Sequence, residues 1–408
     1  MTVSNHKLRK TAFWILSLGM SYYVALLPFQ PPWLPASAGM MVAGIGWLIS
    51  LTSNPRQLTI NWPAAWVYLC LVLLYLSGLP TLDVPEYRQI MNTQVPLLFW
   101  GLPFVVYDED FLRYSKTYLP NIFLASSIFS ALVFIVYFIA IEISDPSIEY
   151  SKRSPYFFLP VHYLSLYYNV AIVLLLRQPC FIKKSFKIAA ISVLIAAVIL
   201  LASRIQWVVL LFILIIHFLS SKKFKTKKVL MYFMLLSVCV TLLYVFVPEV
   251  HRRMHETLDE VRSLKEVKNG KQTNHRKFIW KEALQLLSEV PITGYKPGLA
   301  DKLLMERLSA CDEKFWDGEK VYYLRDGFYN YHNQFLQSLA ERGVGVVFLF
   351  LALLLPVFYG RNWLCTMMVL VIAFAMLTES ILQRQAGVFL VATFLPMIVT
   401  LSTVRKKT

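Results

Sequence analysis

Apolar runs follow one another along most of the chain, and most of them carry no charged residue across the length of a membrane span. Inside a bilayer no water is available to the backbone, so each run must close its own hydrogen bonds, as a helix does over roughly 20 residues. That constraint excludes a soluble globular fold. Composition agrees: 57% of the 408 residues are hydrophobic and 16% charged, with mean hydropathy +0.55, whereas soluble domains carry about 25% charged residues. The expected fold is an all-α integral membrane protein.

Twelve candidate spans follow from hydropathy: Thr11 to Leu27, Trp33 to Leu51, Trp62 to Leu79, Val95 to Tyr107, Tyr118 to Ile143, Tyr156 to Leu176, Phe186 to Ala202, Ile205 to Leu219, Val229 to Val247, Val344 to Tyr359, Trp363 to Leu382 and Ala386 to Val404. The first follows His6, Lys7, Arg9 and Lys10 and has no small-residue cleavage site, so it reads as an uncleaved span rather than a signal peptide. Placing both termini in the cytoplasm puts 19 of the 40 basic residues in cytoplasmic segments and five in short outer loops. Short Lys/Arg-rich loops stay inside, which makes the net charge of +16 a topology signal and not a nucleic-acid footprint. The Lys222 to Lys228 cluster fits a patch facing membrane lipids. Five cysteines show no metal or disulfide spacing.

The other 16 basic residues lie with 15 acidic ones in one long outer segment, Glu249 to Arg342. The chain therefore divides into residues 1–248 (nine spans), 249–342 (a large periplasmic loop) and 343–408 (three spans). Within the loop, Phe278, Ala283, Leu284, Leu286 and Leu287 follow helical spacing up to a turn at Pro291 to Gly294.

A few outer-face residues can carry chemistry. Arg204 sits between two tightly joined spans; an arginine at that depth needs an anionic partner, and a guanidinium grips phosphate oxygens well. The plainer alternative is snorkelling to phospholipid headgroups. Arg276 opens the loop helix, where the dipole disfavours a cation, and this suggests an external anion. His332 precedes the return to the membrane, and helical spacing would put it on one face with Phe335, Leu336 and Leu339. Histidine suits proton abstraction near neutrality, although a lone histidine also serves structural roles. His162 and Arg88 lie at a depth where they could line the same cavity, or could be a packing histidine and a loop charge. Glu379 and Arg384 flank the last outer turn and could pair with each other. Asp312, Glu313 and Asp317 have no ligand spacing and read as surface. GxSxG, P-loop, GxGxxG and HExxH patterns are absent.

In chain order, the short-loop Arg204, then Arg276-x-x-x-Trp280 with Pro291-x-x-Gly294-Tyr295 behind it, then His332-Asn333 separated by nine residues from Gly343, resemble the O-antigen ligase family. The resemblance covers the span layout and is most specific from Ser203 to Gly345; Val208 stands where the family often has leucine. It implies a GT-C-type glycosyltransferase of the Gram-negative inner membrane, with its active site on the periplasmic face and without metal or other cofactor. Its donor would be a polysaccharide on undecaprenyl diphosphate, and its acceptor a sugar hydroxyl of lipid A-core. On this resemblance His332 is the general base and Arg204 and Arg276 hold the diphosphate; Asn333, next to the base, and His162 and Arg88, by their depth, are candidate substrate contacts. An O-antigen polymerase uses the same donor but often has two sizeable arginine-rich outer loops; one dominant loop favours the ligase. A transporter would place ionisable groups near the bilayer midplane, whereas these cluster at one face.

Overall fold

The computed structural model describes residues 3–30, 33–53, 58–79, 85–144, 159–177, 183–220, 275–310, 314–317, 320–323 and 329–403, with isolated positions between 234 and 255. The expected span Val229 to Val247, the Lys222 to Lys228 cluster, Asp312 and Glu313 lie outside the described residues, apart from isolated positions in that span. The fold is all-α. In order run α1 (Val3–Leu26), α2 (Ala36–Ser53), α3 (Trp62–Ser77), α4 (Pro85–Gln94), the single turn α5 (Leu102–Val105), α6 (Glu109–Thr117), α7 (Leu119–Ser144), α8 (Val161–Arg177), α9 (Lys184–Leu200) and α10 (Arg204–Ser220). A separate lobe, the one expected on the outer face and called the outer lobe below, adds α11 (His275–Leu287), α12 (Leu299–Ser309) and α13 (Gln334–Arg342). The last three are α14 (Val346–Gly360), α15 (Trp363–Thr378) and α16 (Gln385–Thr403). Among the described residues, four helical stretches, Ala36–Ser53, Glu109–Ile141, Gln334–Gly360 and Gln385–Thr403, are long and apolar enough to cross a membrane, and five shorter apolar helices accompany them.

The fourth expected span is not a helix. Pro96 and Pro103 break the run Val95 to Tyr107 into a 3-10 turn, α5 and a strand, β2 (Val106–Tyr107), which pairs antiparallel with β1 (Thr59–Ile60). Proline removes a donor and obstructs a continuous helix. The pairing sets up the start of α3, where Asn61 caps the helix by accepting from the Ala64 N–H. Asp108 caps α6 in the same way, accepting from the Phe111 N–H at 2.7 Å, and Glu109 and Asp110 complement the dipole of its first turn.

Helix α16 is the post of the membrane domain, with every residue from Ala386 to Ser402 buried. Its backbone is gripped by two tyrosines: Tyr23 donates to the Phe389 carbonyl at 3.1 Å and Tyr167 to the Ala386 carbonyl at 2.8 Å. Helices α3, α14 and α15 pack on it. Its outer end, and the turn leading into it from α15, are thereby held in fixed register with the rest of the bundle.

The outer lobe has its own apolar core, built from Phe278, Ile279, Ala283, Leu286, Ala300, Leu304, Leu308, Tyr331 and Ala340. Four of these come from α11, close to the expected periodicity, but Leu284 is exposed. The lobe is not wholly helical: β3 (Lys314–Asp317) and β4 (Lys320–Tyr323) form an antiparallel hairpin that includes Asp317. The turn after α11 is stitched to the end of α13 and the residues just after it, where the N–H groups of Tyr295, Lys296 and Val344 donate to the carbonyls of Ala340, Glu341 and Ile292. Such close backbone approach needs glycine. Gly343 has φ of 52°, and a Cβ there would sit 1.9 Å from the Ile292 carbonyl oxygen; Gly294, with φ of 74°, faces the Glu341 and Arg342 backbone.

A buried polar cluster lies under this seam. Arg342 is 1% exposed and Glu341 fully buried; the two pair with each other. Arg342 also donates to Gln94 at 2.5 Å and to the Leu74 carbonyl at 3.1 Å. Gln337 bridges Glu341 and Asp301, donating to each at 2.8 Å. Burial, and then the Glu341 carboxylate, push the Asp301 carboxyl up to about 7, against the bond from Gln337 and the charge of Arg342.

Two expected outcomes follow. Arg342→Ala leaves Glu341 buried without its partner and destabilises the protein by about 3–5 kcal/mol, read by thermal unfolding in nanodiscs. Asp301 binds its proton more tightly when folded, so its contribution favours folding at low pH and is lost as pH rises from about 4 to about 7. Asp301→Asn, which keeps an acceptor for Gln337, therefore melts above the parent by a margin that grows from pH 5 to pH 8.

Candidate functional site

His332 does not lie on a helical face. Helix α13 starts at Gln334, with Asn333 as its cap: the Asn333 side-chain oxygen accepts from the Phe335 N–H at 2.9 Å and the Leu336 N–H at 3.1 Å. His332 precedes the cap with φ of 44°, a left-handed conformation that is uncommon for a residue with a side chain. It is held there on both sides. Its own N–H donates to the Asn330 side chain at 2.9 Å. The neighbouring Tyr331 is fully buried, accepts from the Trp280 indole at 2.9 Å and donates its hydroxyl to the Ala300 carbonyl.

The imidazole of His332 meets a carboxylate from the membrane domain, with 3.3 Å between its Nδ1 and Glu379 Oε2. The other oxygen of Glu379, Oε1, accepts from the Arg276 guanidinium at 2.5 Å. Arg276 occupies the first turn of α11, where the dipole opposes a cation, and the anion that offsets it is internal. Glu379 caps the C-terminus of α15, and its N–H donates to the Ala375 carbonyl at 3.0 Å. Burial raises its carboxyl, but the His332 bond and the charges of His162, Arg276 and His332 outweigh that and hold it down to about 2. Glu379 is therefore ionised throughout the physiological range.

His162, in the first turn of α8, is half-buried and in electrostatic reach of Glu379, Arg276, His332 and Arg384. Three of the expected site residues, His332, Arg276 and His162, thus gather around one carboxylate. Glu379 pairs with Arg276 and His332, from segments remote in sequence, in place of the expected pairing with Arg384.

Arg204 is half-buried at the start of α10. What relates it to the cluster is helix packing: α10 lies against both α8 and α15, and Asn169 of α8 donates to the Gln206 carbonyl and side chain at 3.1 and 2.8 Å. Arg88 is exposed on α4, whose buried side is made by Tyr87, Met91 and Gln94. Asn333 commits its amide to protein, capping α13 and donating to the Leu377 carbonyl at 3.0 Å. Among the described residues no three His, Cys, Asp or Glu side chains are placed to hold a metal ion. A fixed carboxylate, a guanidinium and two imidazoles can hold an anion and move a proton.

Residues 189–351 match the family model described as O-antigen ligase. Over those residues, about two fifths of the chain, the protein is similar to that family. The ligase-family segment contains Arg204, Arg276 and His332, whereas Glu379 and His162 lie outside it. The match supports an O-antigen ligase- or polymerase-type activity on polysaccharide and lipid-linked substrates. No curated protein matches the chain.

The part played by Glu379 and by the buried Glu341–Arg342 pair escaped the sequence. An acid at the end of an apolar run that otherwise lacks charge was the available signal for Glu379; nothing in the local pattern marks the buried pair. If Asn333 acts as a cap, Asn333→Ala costs about 1 kcal/mol of stability, and Asn333→Asp, which keeps the acceptor, melts close to the parent.

Proposed function

We propose that the protein is an O-antigen ligase that transfers polysaccharide from undecaprenyl diphosphate to a sugar hydroxyl of lipid A-core. The reaction takes place on the periplasmic face of the inner membrane, with both termini cytoplasmic. The observation that carries this is the convergence of Arg276 and His332 on one carboxylate at the outer end of α15, both residues coming from the segment that matches the ligase family.

His332 acts as general base. The acceptor oxygen bonds to the anomeric carbon as its proton passes to the imidazole, and the anomeric C–O bond breaks with its electron pair staying on the diphosphate. Arg276 and Arg204 hold that diphosphate and stabilise the charge that grows on it. Cationic side chains suffice for this, since a lipid diphosphate is already a good leaving group. Direct displacement inverts the anomeric centre. The transferase is of the GT-C type, and His162, Asn333 and Arg88 contact its substrates.

His332→Ala, Arg276→Ala and Arg204→Ala each lower ligation by about 10²–10⁴-fold in membranes carrying equal amounts of protein. Full ligation in any one of them removes that residue from its role.

A further inference from the structure

Glu379 has no part in the proposed chemistry so far, yet each of its oxygens engages one of the proposed catalytic groups. We propose that Glu379 is a positioning residue for the transfer, its Oε2 fixing the His332 ring through Nδ1–H so that Nε2 takes the acceptor proton, and its Oε1 setting Arg276 beside the leaving diphosphate. This rests on the transferase function proposed above.

Several observations beyond the two contacts support the role. The turn that carries Glu379 is fastened to the start of α13, the helix that follows His332. Asn333 donates to the Leu377 carbonyl at 3.0 Å, the Ser380 hydroxyl donates to Gln337 at 3.2 Å, and the Leu382 N–H donates to the Gln334 side chain at 2.7 Å. Base and carboxylate are therefore clamped together by bonds on either side of them, and the left-handed backbone at His332 is strain that this surrounding frame holds in place. Such rigid support is what keeps a reacting group within the narrow geometry that transfer demands.

The protonation states fit as well. Glu379 is held ionised, so it can accept from Nδ1–H without competing for the proton that Nε2 receives. Among the described residues, the groups in electrostatic reach of Glu379 are His332, Arg276, His162 and Tyr163, with Arg384 reaching His162, and Glu379 is the anion among them. During transfer the acceptor O–H bond breaks, the new C–O bond forms, the proton ends on Nε2, and the diphosphate departs with the electron pair of the old bond. Glu379 gains and loses no proton; it stabilises the imidazolium that forms and leaves Arg276 oriented towards the phosphate.

The test uses the full-length protein in nanodiscs, with lipid-linked polysaccharide and lipid A-core as substrates. Glu379→Gln lowers kcat by about 10²-fold or more. The KM for donor does not rise, because removing a negative charge beside Arg276 does not weaken binding of an anion. Glu379→Asp recovers part of the loss. In protein labelled with ¹⁵N-histidine, the His332 ring signals, assigned by their disappearance in His332→Ala, show Nδ1 protonated in the parent at pH 8 and lose that fixed tautomer in Glu379→Gln. Parental kcat in Glu379→Gln overturns the proposal. So does a kcat loss that Glu379→Asp does not relieve, accompanied by a higher donor KM and an unchanged tautomer, since that is the mark of a structural ion pair only. If the parent transfers nothing but the tautomer still depends on Glu379, the pairing stands while the transferase function fails and takes the positioning role with it.

Discussion

Arg342 carries its charge into a site that is 1% exposed, and the outer lobe sits on the bundle where it does because of the partners that site supplies. A buried guanidinium is tolerable only when its donors are met; Glu341, Gln94 and the Leu74 carbonyl meet them, and they belong to α13, α4 and α3. The lobe's last helix and two separate parts of the membrane domain are thus drawn together. Gly294 and Gly343 let the turn after α11 close on the end of α13, and the backbone bonds between them hold it there.

The candidate site is built on the far end of the same helix. Gln337 and Gln334 of α13 bond the turn between α15 and α16, so a helix seated at its C-terminus by Arg342 is seated at its N-terminus by that turn. His332 and Glu379 meet there, and Arg276 reaches the pair from α11. The described part of the lobe therefore presents a histidine and an arginine to the turn between α15 and α16, and the long-range charge pairing is the means by which two chain segments become one site.

Much of this was legible in the sequence, and what was not had a physical reason. Long apolar runs predicted helices because a bilayer leaves few other solutions; the run from Val95 failed because Pro96 and Pro103 outweigh hydropathy. Phe278, Ala283 and Leu286 marked the buried stripe of α11 because periodicity is local. Arg204, Arg276 and His332 were visible through spacing within the matched segment. The left-handed turn at His332 was hidden by its apolar neighbours Phe335, Leu336 and Leu339, which extend a helical pattern that in fact begins only after Asn333. The partner of Arg276 stands 103 residues away, and the contacts of Arg342 span up to 268; no period or motif encodes pairings of that kind.

The central claim is that this outer-face cluster transfers a glycan from a lipid diphosphate to a second lipid's sugar. Its most direct measurement is the purified parent protein in nanodiscs, given lipid-linked polysaccharide with radiolabelled lipid A-core in one reaction and with a second lipid-linked glycan in another. The account predicts a ladder of glycan-bearing lipid A-core, with release of undecaprenyl diphosphate, in the first reaction alone. Growth of the lipid-linked chain without modification of lipid A-core, or no transfer to either acceptor, would contradict it.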